Sequence, residues 1–249
     1  MDRIDLVLSS PDNQHIPKVE NAGDVIDGYL VMHNGLRIHP MSYYGYPIKR
    51  MLKLNKGVHE PQEERVFMEV LKTMRPGATM LELGSFWSFY SMWFQKEVYD
   101  AKCYMVEPMK RNLEAGKSNF ELNAMVGTFM QGFISDTTNP QEMCLHVDGI
   151  VETNNIEFVD ILHSDIQGFE LKMLHGAKYL LAERRVGYIF VSTHGNKVHN
   201  DCVNFLQQYD FRVIALADLD QTYSEDGLIV MRAPWYSGID TVNISLRTH

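Results

Sequence analysis

Three polar side chains that can bind a metal or move a proton follow two short apolar runs of this sequence. Asp165 ends the run VDILHSD, and His194 and Asn196 follow the run GYIFVST. A carboxylate, an imidazole and an amide oxygen form an acceptable ligand set for a divalent cation. Without a cation, His194, or His163 two residues before Asp165, could act as a general base near neutral pH. These residues are therefore candidates for catalysis or metal binding.

Each candidate also has a purely structural explanation. Asp165 could cap the helix that follows it. His194 could be a hydrogen-bonded histidine near the surface, and His163 could pack in the core. If the two runs are neighbouring parallel strands, Asp165, His194 and Asn196 meet at one edge of the sheet, where open α/β sheets bind their ligands.

A glycine and two acids mark an earlier pair of strand ends. In MLELGSFWSFYS, Glu82 lies at the end of an apolar run, Gly84 permits a tight turn, and we expect a helix to begin at once. The N-terminal amides of that helix could receive an anionic group. Glu107 ends the next run, KCYMVE, at the spacing from Gly84 that a ribose-binding acid requires. A solvated glutamate at a strand end is the alternative.

The segment Gly132-Phe133-Ile134 ends the third run of this kind. A glycine beside bulky apolar residues could form a flat slot for a purine ring. The segment could equally be a plain strand end, so it carries no assignment by itself.

Alternation of strand and helix patterns predicts the elements that position these residues. After residue 57, short apolar runs alternate with stretches of helical period, which predicts an α/β fold with a doubly wound, mostly parallel sheet covered on both faces. The last two runs lack an intervening helix, which indicates an antiparallel hairpin at one edge. The seven runs are TMLEL, KCYMVE, GTFMQGF, VDILHSD, GYIFVSTH, FRVIALAD and GLIVMRA.

The first 57 residues have a different pattern. Asn34-Gly35 separates two alternating apolar runs, the strongest short-range signal for a β-hairpin. We therefore predict an N-terminal extension, residues 1–57, that contains a hairpin and covers the cleft of an α/β domain formed by residues 58–249.

Five residues of the extension and its junction could contribute to a site. Tyr43, Tyr44 and Tyr46 could stack on a sugar or a polyketide, or simply pack within their loop. His59 and Glu60 lie just before the first core helix, where capping and compensation of the helix dipole explain them best.

Composition limits the classes of function. A 249-residue chain with 45% hydrophobic residues and a net charge of -9 is typical of a globular protein, and the charge argues against nucleic acid or an anionic membrane as main partner. No apolar run approaches the roughly 20 residues of a membrane span, and the N-terminus is unlike a signal peptide. Three widely spaced cysteines favour a reducing compartment, so we expect a cytoplasmic protein. Homo-oligomerisation stays open.

Three segments together resemble one known family. ELGSFWSFYS, VEPMKRNLEAGKSNFELN and DILHSDIQGFELKMLHGA are similar to the FkbM family of S-adenosylmethionine-dependent methyltransferases, over roughly residues 57 to 232. The most specific element is the family motif D-[LI]-x-K-[ID]-D-x-E-G-x-E, which aligns with Asp160 to Glu170, with His163 where lysine is usual. The resemblance implies the seven-stranded, Rossmann-like class I methyltransferase fold, with residues 58–249 binding S-adenosylmethionine.

The resemblance also implies roles for individual residues. Glu82 and Gly84 would contact the methionine part of the cofactor, Glu107 would hold the ribose hydroxyls, and Asp165 would lie beside the methyl donor. The remaining residues that the resemblance assigns to the cofactor are Ser85, Tyr90, Ser91, Gly132, Phe133 and Ile134. Because catechol-type O-methyltransferases bind magnesium at the ends of the fourth and fifth strands, Asp165, His194 and Asn196 would be the ligands of Mg²⁺ or another divalent cation.

The predicted reaction is methyl transfer to a hydroxyl of a sugar, a glycan or a polyketide-type small molecule. Two other classes stay open. A nicotinamide-dependent oxidoreductase shares the strand-end acid but needs a fuller glycine-rich loop, and a non-catalytic interaction module could keep a degenerate cofactor fold. Fold analogy alone does not decide among them.

Overall fold

A small sheet and two helices form the N-terminal part of the chain. The computed structural model describes residues 2–248. The N-terminal elements are α1 (Arg3–Ser9), β1 (Val25–Ile26), β2 (Tyr29–Val31), β3 (Arg37–Ile38) and α2 (Tyr46–Leu54). The predicted hairpin is confirmed, because β2 and β3 pair antiparallel and Gly35 in their turn has a φ of +84°.

Nine further strands and seven α-helices follow within the described residues. They are α3 (Pro61–Leu71), β4 (Thr79–Leu83), α4 (Phe89–Glu97), β5 (Lys102–Glu107), α5 (Lys110–Leu122), β6 (Thr128–Gln131), β7 (Phe133–Ile134), β8 (Cys144–Leu145), α6 (Val147–Thr153), β9 (Val159–Asp165), α7 (Glu170–His175), α8 (Lys178–Ala182), β10 (Val186–Thr193), α9 (Asn196–Gln207), β11 (Arg212–Ala217) and β12 (Gly227–Arg232). Among residues 2–248, no helix is both long and apolar enough to cross a membrane.

Seven of these strands form the central sheet, in the order β11-β12-β10-β9-β4-β5-β6. All neighbours are parallel except β12, which is antiparallel to both β10 and β11. Each of the seven apolar runs overlaps one of these strands. The predicted α/β fold, with a doubly wound, mostly parallel seven-stranded sheet and an antiparallel hairpin at one edge, is confirmed.

Apolar clusters cover both faces of the sheet. Ile161 packs in one cluster, with Phe67 and Phe190, and its neighbour Leu162 packs in the other, with Leu174. Alternate residues of a strand point to opposite faces. The central strands are apolar throughout because they are buried on both sides, which explains why they stand out in the sequence.

The turn after β4 differs from the prediction. The helix was expected to begin directly after Gly84, but α4 begins at Phe89. Phe86 and Ser88 have φ values of +42° and +61°, so the chain between them passes through left-handed backbone that no helix contains. This turn brings Phe86 to the surface of a cavity instead of into a helix.

Two further differences lie in the second half of the chain. The stretch after Asp165 forms two short helices, α7 and α8, instead of one, and at Gly176 between them an added Cβ would lie 2.6 Å from the carbonyl oxygen of Ser135. The two-residue strands β7 and β8 and the helix α6 were not predicted, because segments this short lack a hydrophobic period.

A buried carboxylate, Asp160 at the start of β9, ties the sheet to its surroundings. It accepts two hydrogen bonds from the guanidinium of Arg75, both 2.9 Å. It also accepts from the backbone amide of Thr79 at 2.8 Å and from the hydroxyl of Tyr236 at 2.7 Å. The first aspartate of the family motif is therefore structural.

We expect the substitution Asp160→Ala to lower the free energy of unfolding by about 2–4 kcal/mol, because it leaves a buried amide and a guanidinium without their acceptor. Urea denaturation of this variant and of the exposed control Asp24→Ala measures the difference. A loss no larger than that of the control would contradict the structural role.

Candidate active site

One cavity lies at the carboxyl ends of β4, β5, β6 and β9, where the sequence placed the cofactor. Its volume is about 540 Å³. Six residues predicted to bind the cofactor line it, namely Gly84, Glu107, Gly132, Phe133, Ile134 and Asp165. The structure therefore brings the most specific part of the predicted cofactor set to one concave surface.

Gly84 determines how closely two parts of this cavity approach. Its φ is +75°, and a Cβ added there would lie 1.8 Å from the carbonyl oxygen of Asp165. Only glycine permits this contact between the turn after β4 and the end of β9. As a consequence, Asp165 borders this cavity.

Glu107 is held rigidly at the end of β5. Its Oε2 accepts from the backbone amide of Phe86 at 3.1 Å, and its Oε1 accepts from the backbone amide of Met109 at 2.9 Å and from Asn112 at 3.3 Å. Burial raises the pKa of Glu107, whereas these hydrogen bonds lower it. The carboxylate is positioned to accept further donors from a ligand, and its contact with ribose stays a prediction.

Four other residues of the predicted cofactor set are buried and do not line this cavity: Glu82, Ser85, Tyr90 and Ser91. Glu82 accepts a hydrogen bond from the backbone amide of Ser91 at 3.2 Å, and burial raises its pKa to about 7. A carboxylate of the chain itself thus accepts from one amide, that of Ser91, in the first turn of α4. The cofactor contacts of the four residues stay predictions.

A second cavity, of about 790 Å³, adjoins the first. Tyr44, Asp165 and Gln167 line both cavities. The N-terminal extension supplies one wall, and β-strand ends supply the other. The extension residues in that wall are Asp2, Arg3, Ile4, Tyr43, Tyr44, Pro47 and Ile48. This second cavity is large enough for a small organic ligand.

Three carboxylates meet beside the second cavity, and one of them, Asp165, also borders the first. Glu60, Asp165 and Asp226 each offer an oxygen atom, and these atoms all lie within 4.8 Å of one another. Nε2 of His194 lies 3.1 Å from Oδ1 of Asp226 and 3.3 Å from Oδ1 of Asp165. We call these four residues, Glu60, Asp165, His194 and Asp226, the acidic cluster.

The imidazole of His194 is oriented by a buried acid. Its Nδ1 lies 2.8 Å from Oε1 of Glu170, which is fully buried and also accepts from the backbone amide of Gly168 at 2.8 Å. With Nδ1 donating to Glu170, Nε2 faces Asp165 and Asp226; it donates to them when the ring is charged and offers a lone pair there when the ring is neutral. Metal-binding histidines are commonly oriented in this way by a carboxylate.

Burial and the proximity of like charges shift the pKa values of the acidic cluster. Burial raises the pKa of Asp165 to about 7, and Glu60 and Asp226 add to the rise. Burial also raises the pKa of Asp226 to about 6, although His194 opposes it. Burial would lower the pKa of His194, but its bond to Glu170 and the nearby acids raise it to about 9. Shared protons, or a cation, therefore relieve the repulsion between these carboxylates.

Glu60 is the member of the cluster with the lowest pKa. Burial would raise this pKa, but His59, Arg3 and the hydroxyl of Tyr90 outweigh burial and lower it to about 2. Tyr90 donates to Oε2 of Glu60 at 2.8 Å, and Nε2 of His59 lies 3.3 Å from the same oxygen. The capping expected of Glu60 is done by Glu64, whose Oε1 accepts from the amides of His59 and Glu60.

Asn196 does not join the acidic cluster, which corrects its predicted role as a metal ligand. Its side-chain amide donates to Asp220 at 3.0 Å, and its side-chain oxygen accepts from the backbone amide of Leu219 at 3.0 Å. The residue is the first of α9, and its side chain therefore points to the turn after β11 instead of along β10.

His163 is buried in the core instead of facing either cavity. Its Nε2 lies 2.6 Å from Oε1 of Glu63, and its ring packs on Tyr90 with centroids 4.4 Å apart. Burial would lower the pKa of His163, but Glu63 outweighs it and raises this pKa. The structure thus favours the core-packing alternative over a catalytic role.

The comparisons with known proteins agree with the strand-end geometry. Residues 129–213 match the sequence model of the methyltransferase FkbM domain. This part of the chain, about a third of its length, therefore resembles an FkbM methyltransferase domain. The resemblance recognised from the motifs is confirmed, and with it the coarse activity, methyl transfer from S-adenosylmethionine. No curated protein sequence matches the chain.

Several solved structures resemble the chain at low identity. A precorrin-6y C5,15-methyltransferase from Geobacter metallireducens shares 16% identity at a TM-score of 0.49, covering 71% of this chain and 89% of that one. TrmK from M. capricolum with bound S-adenosylhomocysteine shares 11% identity at a TM-score of 0.48, covering 72% of this chain and 71% of that one. A putative SAM-dependent methyltransferase from Streptococcus mutans shares 14% identity at a TM-score of 0.48, covering 69% of this chain and 49% of that one. The family assignment depends on the FkbM match and not on these structures.

Proposed function

We propose that this protein transfers a methyl group from S-adenosylmethionine to a hydroxyl of a sugar, a glycan or a polyketide-type small molecule, with the help of a divalent cation. The proposal assigns the first cavity to the cofactor and the second to the acceptor. It assigns the cation to the acidic cluster. The observation that carries it is that Asp165, His194 and Asp226 of the cluster line the second cavity, while Asp165 also lines the first.

Donor atoms of the cluster fit a divalent cation. Three carboxylates and one imidazole form an oxygen-rich set that suits Mg²⁺ or Mn²⁺ better than a soft metal. His194 has the orientation that a ligand needs, since Glu170 holds its far nitrogen. When bound, a divalent cation lowers the pKa of a coordinated hydroxyl and orients it.

The chain's own residues would do the remaining work. Asp165 borders both cavities, so its carboxylate would lie beside both the methyl donor and the acceptor oxygen. Where no cation is bound, His194 can hold the departing proton at Nε2, because Glu170 and Asp226 stabilise its charged form. Holding donor and acceptor in line is the main contribution that a sulfonium methyl transfer needs.

Lining residues of the second cavity suit a hydroxylated acceptor. Tyr43 and Tyr44 offer aromatic faces, Gln167 offers an amide, and Arg3 offers a guanidinium that already contacts Tyr43 at 2.8 Å. Aromatic faces with a few directional polar groups are a common way to bind sugars and other polyols. Because α1 and the loop before α2 supply most of this wall, we also propose that residues 1–57 cover the cleft.

Thermal unfolding tests the two ligands together. Saturation with S-adenosylhomocysteine at about a hundred times its dissociation constant should raise the midpoint by about 5 to 11 °C. Mn²⁺ should give a further rise that EDTA removes, and NAD should have no effect. Release of S-adenosylhomocysteine in the presence of sugar, polyketide and amine acceptors then identifies the acceptor class.

Each arm of this experiment can fail separately. A response to NAD instead of S-adenosylhomocysteine would favour the oxidoreductase alternative. No response to Mn²⁺ would exclude the cation from the proposed mechanism and leave His194 as the general base. Turnover with amine acceptors alone would contradict transfer to a hydroxyl, and binding without turnover on any acceptor would favour an interaction module.

A further inference from the structure

The segment 218–226 between β11 and β12 carries part of the second cavity wall. Leu219, Glu225 and Asp226 of this segment line the cavity, and Asp226 belongs to the acidic cluster. The segment has no helix or strand of its own. Its shape must therefore come from side chains that hold its backbone.

Gln62, in the first turn of α3, holds the backbone of the segment 218–226. Its Oε1 accepts from the hydroxyl of Thr222 at 3.0 Å and from the backbone amide of Tyr223 at 2.8 Å. Its Nε2 donates to the carbonyl oxygens of Ser245 at 2.6 Å and Gln221 at 3.4 Å. Gln62 is buried, its oxygen faces two donors, and its nitrogen faces two carbonyl oxygens. Only this orientation of the amide therefore satisfies all four partners.

A short chain of hydrogen bonds leads from Thr222 to Asp226. The backbone amide of Ser224 donates to Oγ1 of Thr222 at 3.1 Å. The hydroxyl of Ser224 donates to the carbonyl oxygen of Asp226 at 2.9 Å and accepts from the amide of Asp226 at 3.3 Å. The backbone of Asp226 is thus fixed three residues beyond Tyr223, the last residue of the segment that Gln62 contacts.

Arg247 near the C-terminus holds the outer side of the same segment. Its guanidinium donates to the carbonyl oxygens of Asp220 at 3.1 Å and Leu219 at 3.3 Å, and its backbone amide donates to Gln221 at 2.8 Å. Ser245, which accepts from Gln62, lies two residues earlier. The C-terminal tail and α3 therefore enclose the segment between them.

We infer that Gln62 is a positioning residue that sets the distance between Glu60 and Asp226. Glu60 lies two residues before Gln62, directly before the first residue of α3, so the N-terminal end of one helix carries the first carboxylate and holds the segment that carries the second. Arg247 supports this arrangement from outside. The consequence for the backbone of 218–226 is independent of any ligand, whereas the consequence for cation binding rests on the proposed function.

The test compares Gln62→Met with Gln95→Met in the full-length protein. Gln95 is a matched control, because its amide also bridges a loop backbone, donating to the carbonyl oxygen of Val126 at 2.7 Å and accepting from its amide at 3.1 Å. Gln62→Met should weaken Mn²⁺ binding about 10- to 100-fold, the usual effect of losing an outer-shell partner. Binding of S-adenosylhomocysteine should change little in either variant.

Amide hydrogen exchange provides the second readout. Exchange within residues 219–226 should become about tenfold faster in Gln62→Met, as expected when a hydrogen bond that closes the segment is lost. Gln95→Met should leave this segment unchanged. The milder variant Arg247→Ala should show a smaller effect of the same kind, with Arg185→Ala as its control, since Arg185 donates to the carbonyl oxygen of Glu157 elsewhere.

The possible outcomes distinguish a failure of the positioning role of Gln62 from a failure of the proposed function. If the unmodified protein binds no Mn²⁺, the cation is excluded, and exchange alone decides about Gln62. Unchanged exchange in a folded Gln62→Met variant would overturn the positioning role. Faster exchange with equal losses of Mn²⁺ and S-adenosylhomocysteine binding would also overturn it, because that pattern indicates general destabilisation.

Discussion

Replacing Asp165 with asparagine is expected to weaken Mn²⁺ binding at least about 100-fold and to abolish the Mn²⁺-dependent rise of the unfolding midpoint. Outer-shell substitutions already cost about 10- to 100-fold in metal affinity, and Asp165 would contribute a ligand atom directly. The substitution keeps the size of the side chain and leaves the backbone contact with Gly84 in place. Binding of S-adenosylhomocysteine should therefore stay within a few-fold of the unmodified protein.

The control for this prediction is Asp201→Asn on α9. Asp201 forms a surface ion pair with Lys197 at 2.6 Å, so the substitution removes the same charge without touching either cavity. Mn²⁺ titration followed by electron paramagnetic resonance measures both variants. Equal Mn²⁺ affinity in Asp165→Asn and Asp201→Asn would refute the role of the acidic cluster as a cation site.

The meeting of Asp165 and His194 could be predicted because it follows from topology. Both residues lie at the carboxyl ends of strands, and β9 and β10 are adjacent and parallel, with Ser192 opposite Asp165. Ligand-facing residues of an open α/β sheet collect at this edge. The sequence therefore revealed the location of the site and two members of its acidic cluster.

Asp226 was missed because it precedes a strand instead of following one. The last strand, β12, runs antiparallel to β10, so its first residue, Gly227, lies opposite Thr193 at the end of β10. The amino end of an antiparallel strand thus reaches the same edge as the carboxyl ends of its parallel neighbours. The predicted hairpin at the edge of the sheet already contained this signal.

Glu60 was assigned to capping, and Asn196 to metal binding, because spacing alone does not give side-chain direction. The first turn of α3 holds several acids, and tertiary partners such as Tyr90 decide which one faces the cavity. Asn196 is two residues from His194, a spacing that keeps side chains on one face of a strand but turns them by about 200° in a helix. The chain changes from strand to helix between them.

Replacing Glu107 with glutamine should weaken binding of S-adenosylhomocysteine about 100-fold. All three groups that contact its carboxylate are donors, namely the amides of Phe86 and Met109 and the side chain of Asn112. A glutamine amide would place its own donor against one of them. Loss of two hydrogen bonds to a charged group, at about 1.5 kcal/mol each, corresponds to about a hundredfold in affinity.

Glu142→Gln is the matched control for Glu107→Gln. Glu142 lines the same cavity and is exposed, so the control removes an equal charge near the ligand without removing the anchored carboxylate. Isothermal titration of both variants measures the affinities. A similar loss in both would mean that the overall charge of the cavity, and not the position of Glu107, determines binding.

A ligand without ribose hydroxyls distinguishes two reasons why Glu107 could matter. If its carboxylate accepts from those hydroxyls, Glu107→Gln should cost far less affinity for the 2′,3′-dideoxy analogue of S-adenosylhomocysteine than for S-adenosylhomocysteine itself. If its main role is to hold the amide of Phe86, and with it the left-handed turn after β4, both ligands should lose the same affinity. The second result would leave Glu107 as a positioning residue and contradict its assignment to the ribose, because a direct contact must disappear together with the group it binds.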